Sequence, residues 1–194
     1  MGGWIAAGTA AGVGAALAGG YLGVVTGALA IDLGVGRRTR TLGPHTVEIG
    51  APREEVFDVI AAGYLARQPK DVAAKIRVLE RGTDMVLAAH RTPVRGRLVA
   101  TTVETVRFTR PERVDFRLVR GPVPHVVERF TLTTTDIGTS LNYRGELGTD
   151  LWRLGQLWGD LVAERWERAV ATSLEAVKAE AERRASVDAR TRRP

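Results

Sequence analysis

The chain has 194 residues, no cysteine, and 28 basic against 22 acidic side chains, for a formal net charge of +6. The lack of cysteine excludes disulfides, thiolate metal sites and cysteine nucleophiles. The basic excess is almost all arginine, gathered after the first apolar segment (Arg37, Arg38, Arg40) and at the end of the chain (Arg183, Arg184, Arg190, Arg192, Arg193). Few aromatics accompany these clusters, so no nucleic-acid partner is expected.

From Trp4 to Ile31 no residue carries a charge. As a helix this run would reach about 42 Å, against about 30 Å for the hydrocarbon core of a bilayer. Residues 1–34 therefore read as one Gly/Ala-rich transmembrane helix, and 35–44 as a basic juxtamembrane linker. Arg37, Arg38 and Arg40 would sit at the membrane interface, which orients the following domain toward the cytoplasm as a single-pass inner-membrane protein. A cleaved signal peptide is the rival reading: Ala28-Leu29-Ala30 offers a small-residue cleavage site, but the start lacks a basic region. Gly19, Gly23 and Gly27 recur every four residues. Such a ridge either lets helices associate, giving a homo-oligomer, or follows by chance from a glycine-rich composition.

The domain proper runs from 45 to 182, ahead of a frayed basic tail over 183–194. His45 to Ile49 alternates as a first strand, and Ala51-Pro52 opens a helix with Glu54 and Glu55 near its positive end. That helix turns Phe57 and Ile60 inward and ends near Gly63. From Lys75 to Thr149 period-two segments alternate with turn signals, which predicts five or six antiparallel strands. Val114, Phe116 and Leu118 share a face, as do Val126, Glu128, Phe130 and Leu132, and Leu141, Tyr143 and Leu147. The last element is a long helix whose stripe takes in Leu154, Leu157, Trp158, Leu161, Val162, Trp166, Val170 and Leu174. This order gives an α+β fold, a curved antiparallel sheet round a long C-terminal helix, with space between them for a small molecule.

The stretch Val47 to Ile60, containing Ala51-Pro52 and Val56-Phe57, resembles the opening of the SRPBCC superfamily (START-like and polyketide cyclase-like domains). Glu128 to Leu132 followed by Gly138-Thr139-Ser140-Leu141 is similar to that superfamily's late strand pair, and the helix bearing Trp158 and Trp166 takes the place of its last helix. The resemblance spans about residues 44 to 182 and implies the helix-grip fold with an apolar cavity for lipids, sterols or polyketides. It carries no universal catalytic residue. Many relatives place a tryptophan in the loop after the first helix, whereas Tyr64 to Val72 has none.

No catalytic motif is present. Glu128 faces the expected cavity, where a desolvated carboxylate serves as acid, base or ligand anchor, unless a twist turns it outward or an arginine such as Arg144 pairs with it. Tyr143 is a second candidate, and Glu104 a weaker one because its strand alternates less clearly. His45, His90 and His125 lie far apart without metal-ligand spacing, so neither metal nor cofactor is expected. The cavity-lining set is Phe57, Ile60, Phe116, Leu118, Val126, Glu128, Phe130, Leu141, Tyr143, Trp158, Leu161 and Trp166. The resulting expectation is a membrane-tethered lipid-binding or polyketide-binding module with a hydrophobic cavity. The alternatives are a cyclase or dehydratase acting in that cavity, or a membrane scaffold joined through the glycine ridge.

Overall fold

A computed structural model describes residues 18–65, 74–95 and 98–191. The described chain opens in helix, residues 18–25 (α1), followed by an extended arm, β1 (Arg38–Ile49) and α2 (Arg53–Ala62). Six strands follow: β2 (Ile76–Arg81), β3 (Met85–Arg95), β4 (Leu98–Thr109), β5 (Arg113–Arg120), β6 (His125–Thr135) and β7 (Gly138–Thr149). A 40-residue helix, α3 (Trp152–Thr191), closes the chain.

The seven strands form one antiparallel sheet in the order β1-β7-β6-β5-β4-β3-β2. Short turns keep β2 to β7 in sequence order, and α2 carries the chain from β1 at one edge to β2 at the other. Alternation sets the two faces: Val114, Val126, Leu132, Leu141 and Leu147 are buried inward, while Arg117, Arg129 and Arg144 point out. The α+β helix-grip architecture holds, with α3 lying over the inner face.

Strand β1 begins seven residues earlier than the alternation suggested, so the linker expected over 35–44 is sheet from Arg38 onward. A register shift between Leu42 and His45 lets the strand continue past Gly43, whose φ is 74°. The basic tail is also different, because helix α3 runs on to Thr191. Local ion pairs of Glu180 with Arg183 and Arg184 support that extension.

Among the described residues no helix is long and apolar enough to cross a membrane. The transmembrane helix expected over 1–34 is not continuous there: helix α1 gives way to a turn at Thr26 and Gly27, and residues 1–17 lie outside the described chain. The physical reason is the glycine content. Gly27, Gly34 and Gly36 adopt left-handed φ values of 72°, 65° and 63°, which reverse the chain instead of extending a helix. Of the ridge glycines, Gly19 faces open space, while Gly23 and Gly27 lie against their own chain. A side chain on Gly27 would meet the Thr101 carbonyl at 2.5 Å, and one on Gly23 would meet Leu29 at 3.3 Å.

The arm is fastened to the start of α3. Asp150 accepts from the backbone of Leu33 (2.7 Å) and Gly34 (2.9 Å) and from Arg37 (2.8 Å). Leu151 and Trp152 donate to Val35 and Gly36 at 2.8 and 3.0 Å. Arg37 also pairs with Asp32, and Arg40 with Asp160, so two of the three arginines expected at a membrane surface hold the chain to itself.

The buried face of α3 is narrower than its apolar stripe. Val162, Ala163, Leu174 and Ala181 are buried, with Trp158, Trp166, Val170 and Val177 packed beside them. Gly155 and Gly159 let the helix lie against the end of β7, since a side chain on Gly159 would come within 3.0 Å of Thr149. That approach fixes the rotation of the helix and leaves Leu154, Leu157 and Leu161 outside.

Candidate functional site

Two carboxylates face the inner side of the sheet, Glu104 on β4 and Glu128 on β6, with β5 between them. Opposite Glu104 stands Leu118, and opposite Glu128 stands Phe116. Each carboxylate has its own set of partners, and the two sets differ in kind.

Glu128 Oε1 accepts from the Tyr143 hydroxyl and from the Trp166 indole N–H, both at 2.7 Å. Room for the side chain comes from its register partner Gly145 on β7, where a Cβ would sit 3.1 Å from the Glu128 side chain. No cation bonds it among the described residues, and Arg144 points to the outer face. Burial pushes the Glu128 carboxyl up to about 7, and the nearby negative charge of Glu104 adds to that. The two donors and His90 only partly oppose the rise. Burial and the adjacent carboxylate also push the Tyr143 phenol up, so it remains a proton donor.

Glu104 is paired instead. Its Oε2 lies 3.0 Å from His90 Nδ1, and its Oε1 accepts from the Thr102 hydroxyl at 2.5 Å. A register shift between Val103 and Glu104 marks an irregularity at this point of β4. Burial opposes both charges, yet the pair overrides it: Glu104 is held below the usual carboxylate range and His90 is raised above the usual imidazole range. The other imidazole nitrogen, Nε2, is 3.0 Å from the Tyr64 hydroxyl. Tyr64 follows α2, with its ring against Phe108 and its carbonyl bonded by Arg81. In the charged pair both imidazole nitrogens donate, so the Tyr64 oxygen accepts and its own proton is available to a further acceptor.

Aromatic rings surround these groups. Phe116 and Phe130 meet edge to face at 5.2 Å, and Phe130 meets Tyr143 at 5.7 Å. A cleft of about 200 Å³ opens beside Tyr64, Arg81, Met85 and Phe108. A larger one, about 520 Å³, lies between β1 and α3 along His45, Val47, Thr172 and Leu174. Neither reaches Glu128, over which the aromatic cluster closes.

Of the lining residues expected from sequence, Phe57, Ile60, Leu118, Val126, Leu141 and Tyr143 are buried within the grip, and Phe116, Glu128, Phe130, Trp158 and Trp166 are partly buried there. Leu161 is corrected: it is 40 % exposed on the outer side of α3. Trp158 spends its indole N–H on the Pro122 carbonyl. The histidines separate into three settings. His125 pairs with Glu146 on the outer face, His45 stacks on Tyr143, and His90 joins the interior network. Sequence reasoning ranked Glu104 low and gave His90 no role. The readable signal was Thr102-Glu104-Val106-Phe108, a period-two set that belongs to the inner face.

The family model described as polyketide cyclase / dehydrase and lipid transport matches residues 44–182. No curated protein matches the sequence. Among solved structures, the Zhui aromatase/cyclase from Streptomyces sp. R1128 is 21 % identical, with a TM-score of 0.61 over 76 % of this chain and 96 % of that one. The di-domain ARO/CYC StfQ from the steffimycin biosynthetic pathway is 17 % identical (TM-score 0.57, 77 % of this chain, 52 % of that one). BexL, a di-domain ARO/CYC from the BE-7585A biosynthetic pathway, is 20 % identical (TM-score 0.54, 77 % and 50 %). The chain thus spans about half of each di-domain protein. At these identities the likeness establishes the fold.

Proposed function

Since the chain belongs to the polyketide cyclase/dehydrase and lipid transport family, we propose that it binds a hydrophobic, oxygen-bearing small molecule between the sheet and α3. The observation that carries this reading is the pair of polar clusters set into an aromatic interior: Glu128 with Tyr143 and Trp166, and Glu104 with His90 and Tyr64. An apolar ligand body would displace the aromatic contacts around Phe116 and Phe130. A ligand hydroxyl would donate to Glu128, and a ligand carbonyl would accept from Tyr64. Buried polar groups of this kind fix orientation, because a ligand that fails to satisfy them leaves them unpaired. Native mass spectrometry of the full chain should show a reproducible added mass of a polyketide-like or lipid-like compound. A folded chain that stays free of adduct and takes up no hydroxylated aromatic probe would overturn the reading.

A cyclase or dehydratase activity in the same space is the second reading. It is favoured by a carboxyl brought to about 7 on one side and an imidazole–carboxylate pair on the other. An acid and a base kept apart by their environments are what aldol closure and loss of water require. Under this reading Glu128→Gln lowers kcat on a poly-β-carbonyl substrate by about 100-fold with little change in KM. Equal turnover by the variant and the parent would remove it.

A further inference from the structure

The end of the grip where α3 begins is covered by chain that precedes residue 44, the first residue of the family match. At this end β4 begins, β5 ends, β6 begins and β7 ends, as the pairing of Val103 with Arg120 and of His125 with Gly148 shows. The turn after α1 reaches β4 and β5 here. A side chain on Gly27 would stand 2.5 Å from the Thr101 carbonyl, and Arg120 donates to the Gly27 carbonyl. Just before the turn, Val25 is buried, and Tyr21 meets Trp158 of α3 edge to face at 6.0 Å. Trp158 in turn donates to the Pro122 carbonyl between β5 and β6. The helix α1 and its turn therefore bridge the sheet and α3 across the gap between them.

Beneath this bridge runs the inner face that carries the two glutamates. Thr102, next to the residue that Gly27 touches, donates to Glu104 and has His90 as its register partner. Val126, the second residue of β6, is buried, and Glu128 follows two residues further on the same face. The opposite end of the grip is shut by the core itself: Ile49, Val56 and Thr139 are fully buried, and Thr139 donates to the Ala51 carbonyl. The two closures are held differently. Residues 28–35, which follow the bridge, are all exposed. The chain is fixed again only at the Asp150 clasp, where Leu151 and Trp152 hold φ values of 67° and 50°, seldom adopted outside glycine. A short helix with few buried contacts, joined to a firm anchor by an exposed arm, opens more readily than the domain unfolds.

We propose that α1 and the turn at Thr26 and Gly27 form a lid, hinged on residues 28–35, that shuts this end of the interior and swings away to admit a ligand. The inference rests on the reading of the interior as a ligand site. The chain has no cysteine, so one introduced thiol reports access without background. Val126→Cys puts a thiol behind the lid, and Val114→Cys puts one toward the far end of the same face; both positions are buried. Gly27→Val should unseat the lid, because valine resists a φ of 72° and would strike Thr101. Adding Gly27→Val to the full chain should speed labelling of Val126→Cys by dithionitrobenzoate at least about tenfold. Labelling of Val114→Cys should not change. Arg120→Ala, which removes one bond and leaves the backbone alone, should act in the same direction by less. Unchanged labelling of Val126→Cys, or an equal rise at both thiols, would overturn the lid. Naphthol entry, followed by stopped-flow fluorescence without the cysteines, should quicken in Gly27→Val by a similar factor. Equal entry rates in parent and variant would also sink the proposal. If neither chain takes up naphthol, the ligand reading fails, while the thiols still establish or refute the closure.

Discussion

Glu104 and Glu128 are two carboxylates one strand apart on the same inner face, and they differ in charge state. Glu104 has an imidazole at 3.0 Å and is held below the usual range. Glu128 has only neutral donors at 2.7 Å and is raised to about 7. Burial acts on both in the same direction. What separates them is the presence of a counter-charge, which two hydrogen bonds from uncharged groups do not replace. Their contributions to stability consequently run in opposite directions with pH. Glu104 adds stability that is lost as pH falls through its lowered value. Glu128, raised in the folded state, adds stability that is complete below about 4.5 and lost as pH rises toward 7.

The largest expected effect comes from taking away the counter-charge. His90→Ala leaves Glu104 buried and unpaired and should cost about 3–5 kcal/mol near pH 7.5. The deficit should narrow on acidification, as the orphaned carboxyl takes up a proton. Urea melts at pH 7.5 and at an acid pH measure this, and a loss that does not depend on pH would refute the difference drawn between the two glutamates. Next in size is Glu128→Gln. It should flatten the stability profile between pH 4.5 and 7 and raise stability at pH 8 by roughly 2–3 kcal/mol. A parent profile that is already flat there would mean that Glu128 is ionised in the folded state. Trp166→Phe is the smallest change, retaining a ring while removing one donor. It should cost about 1 kcal/mol and move the Glu128 midpoint upward in a carbon-detected NMR titration. A downward movement would show that the indole had been excluding water and had not been stabilising the anion.

How far the sequence disclosed these features depends on the range over which each is encoded. The inner faces of β5, β6 and β7 were legible because alternation is local: Val114, Phe116 and Leu118 declare their side within five residues. Glu128 was legible by the same rule. The Glu104–His90 pair was not. Its formation depends on the register that sets Ala88 against Glu104 and His90 against Thr102, and no short window contains both strands. Leu161 was misplaced because an apolar stripe gives a direction but no width. The missing information lay in Gly155 and Gly159, which decide how closely and at what rotation the helix meets β7. The N-terminal segment misled for a related reason. Gly23 and Gly27 have the spacing of a packing ridge, yet they pack against Leu29 and Thr101 of their own chain.

The contact between Trp166 and Glu128 has a consequence for how the protein is observed. An indole whose N–H rests on a carboxylate has a different excited state from one resting on a carboxylic acid or on a bound hydroxyl. The 2.7 Å bond therefore couples the emission of Trp166 to the proton of Glu128. Were a ligand to bind there as proposed, the same indole would report it without any label.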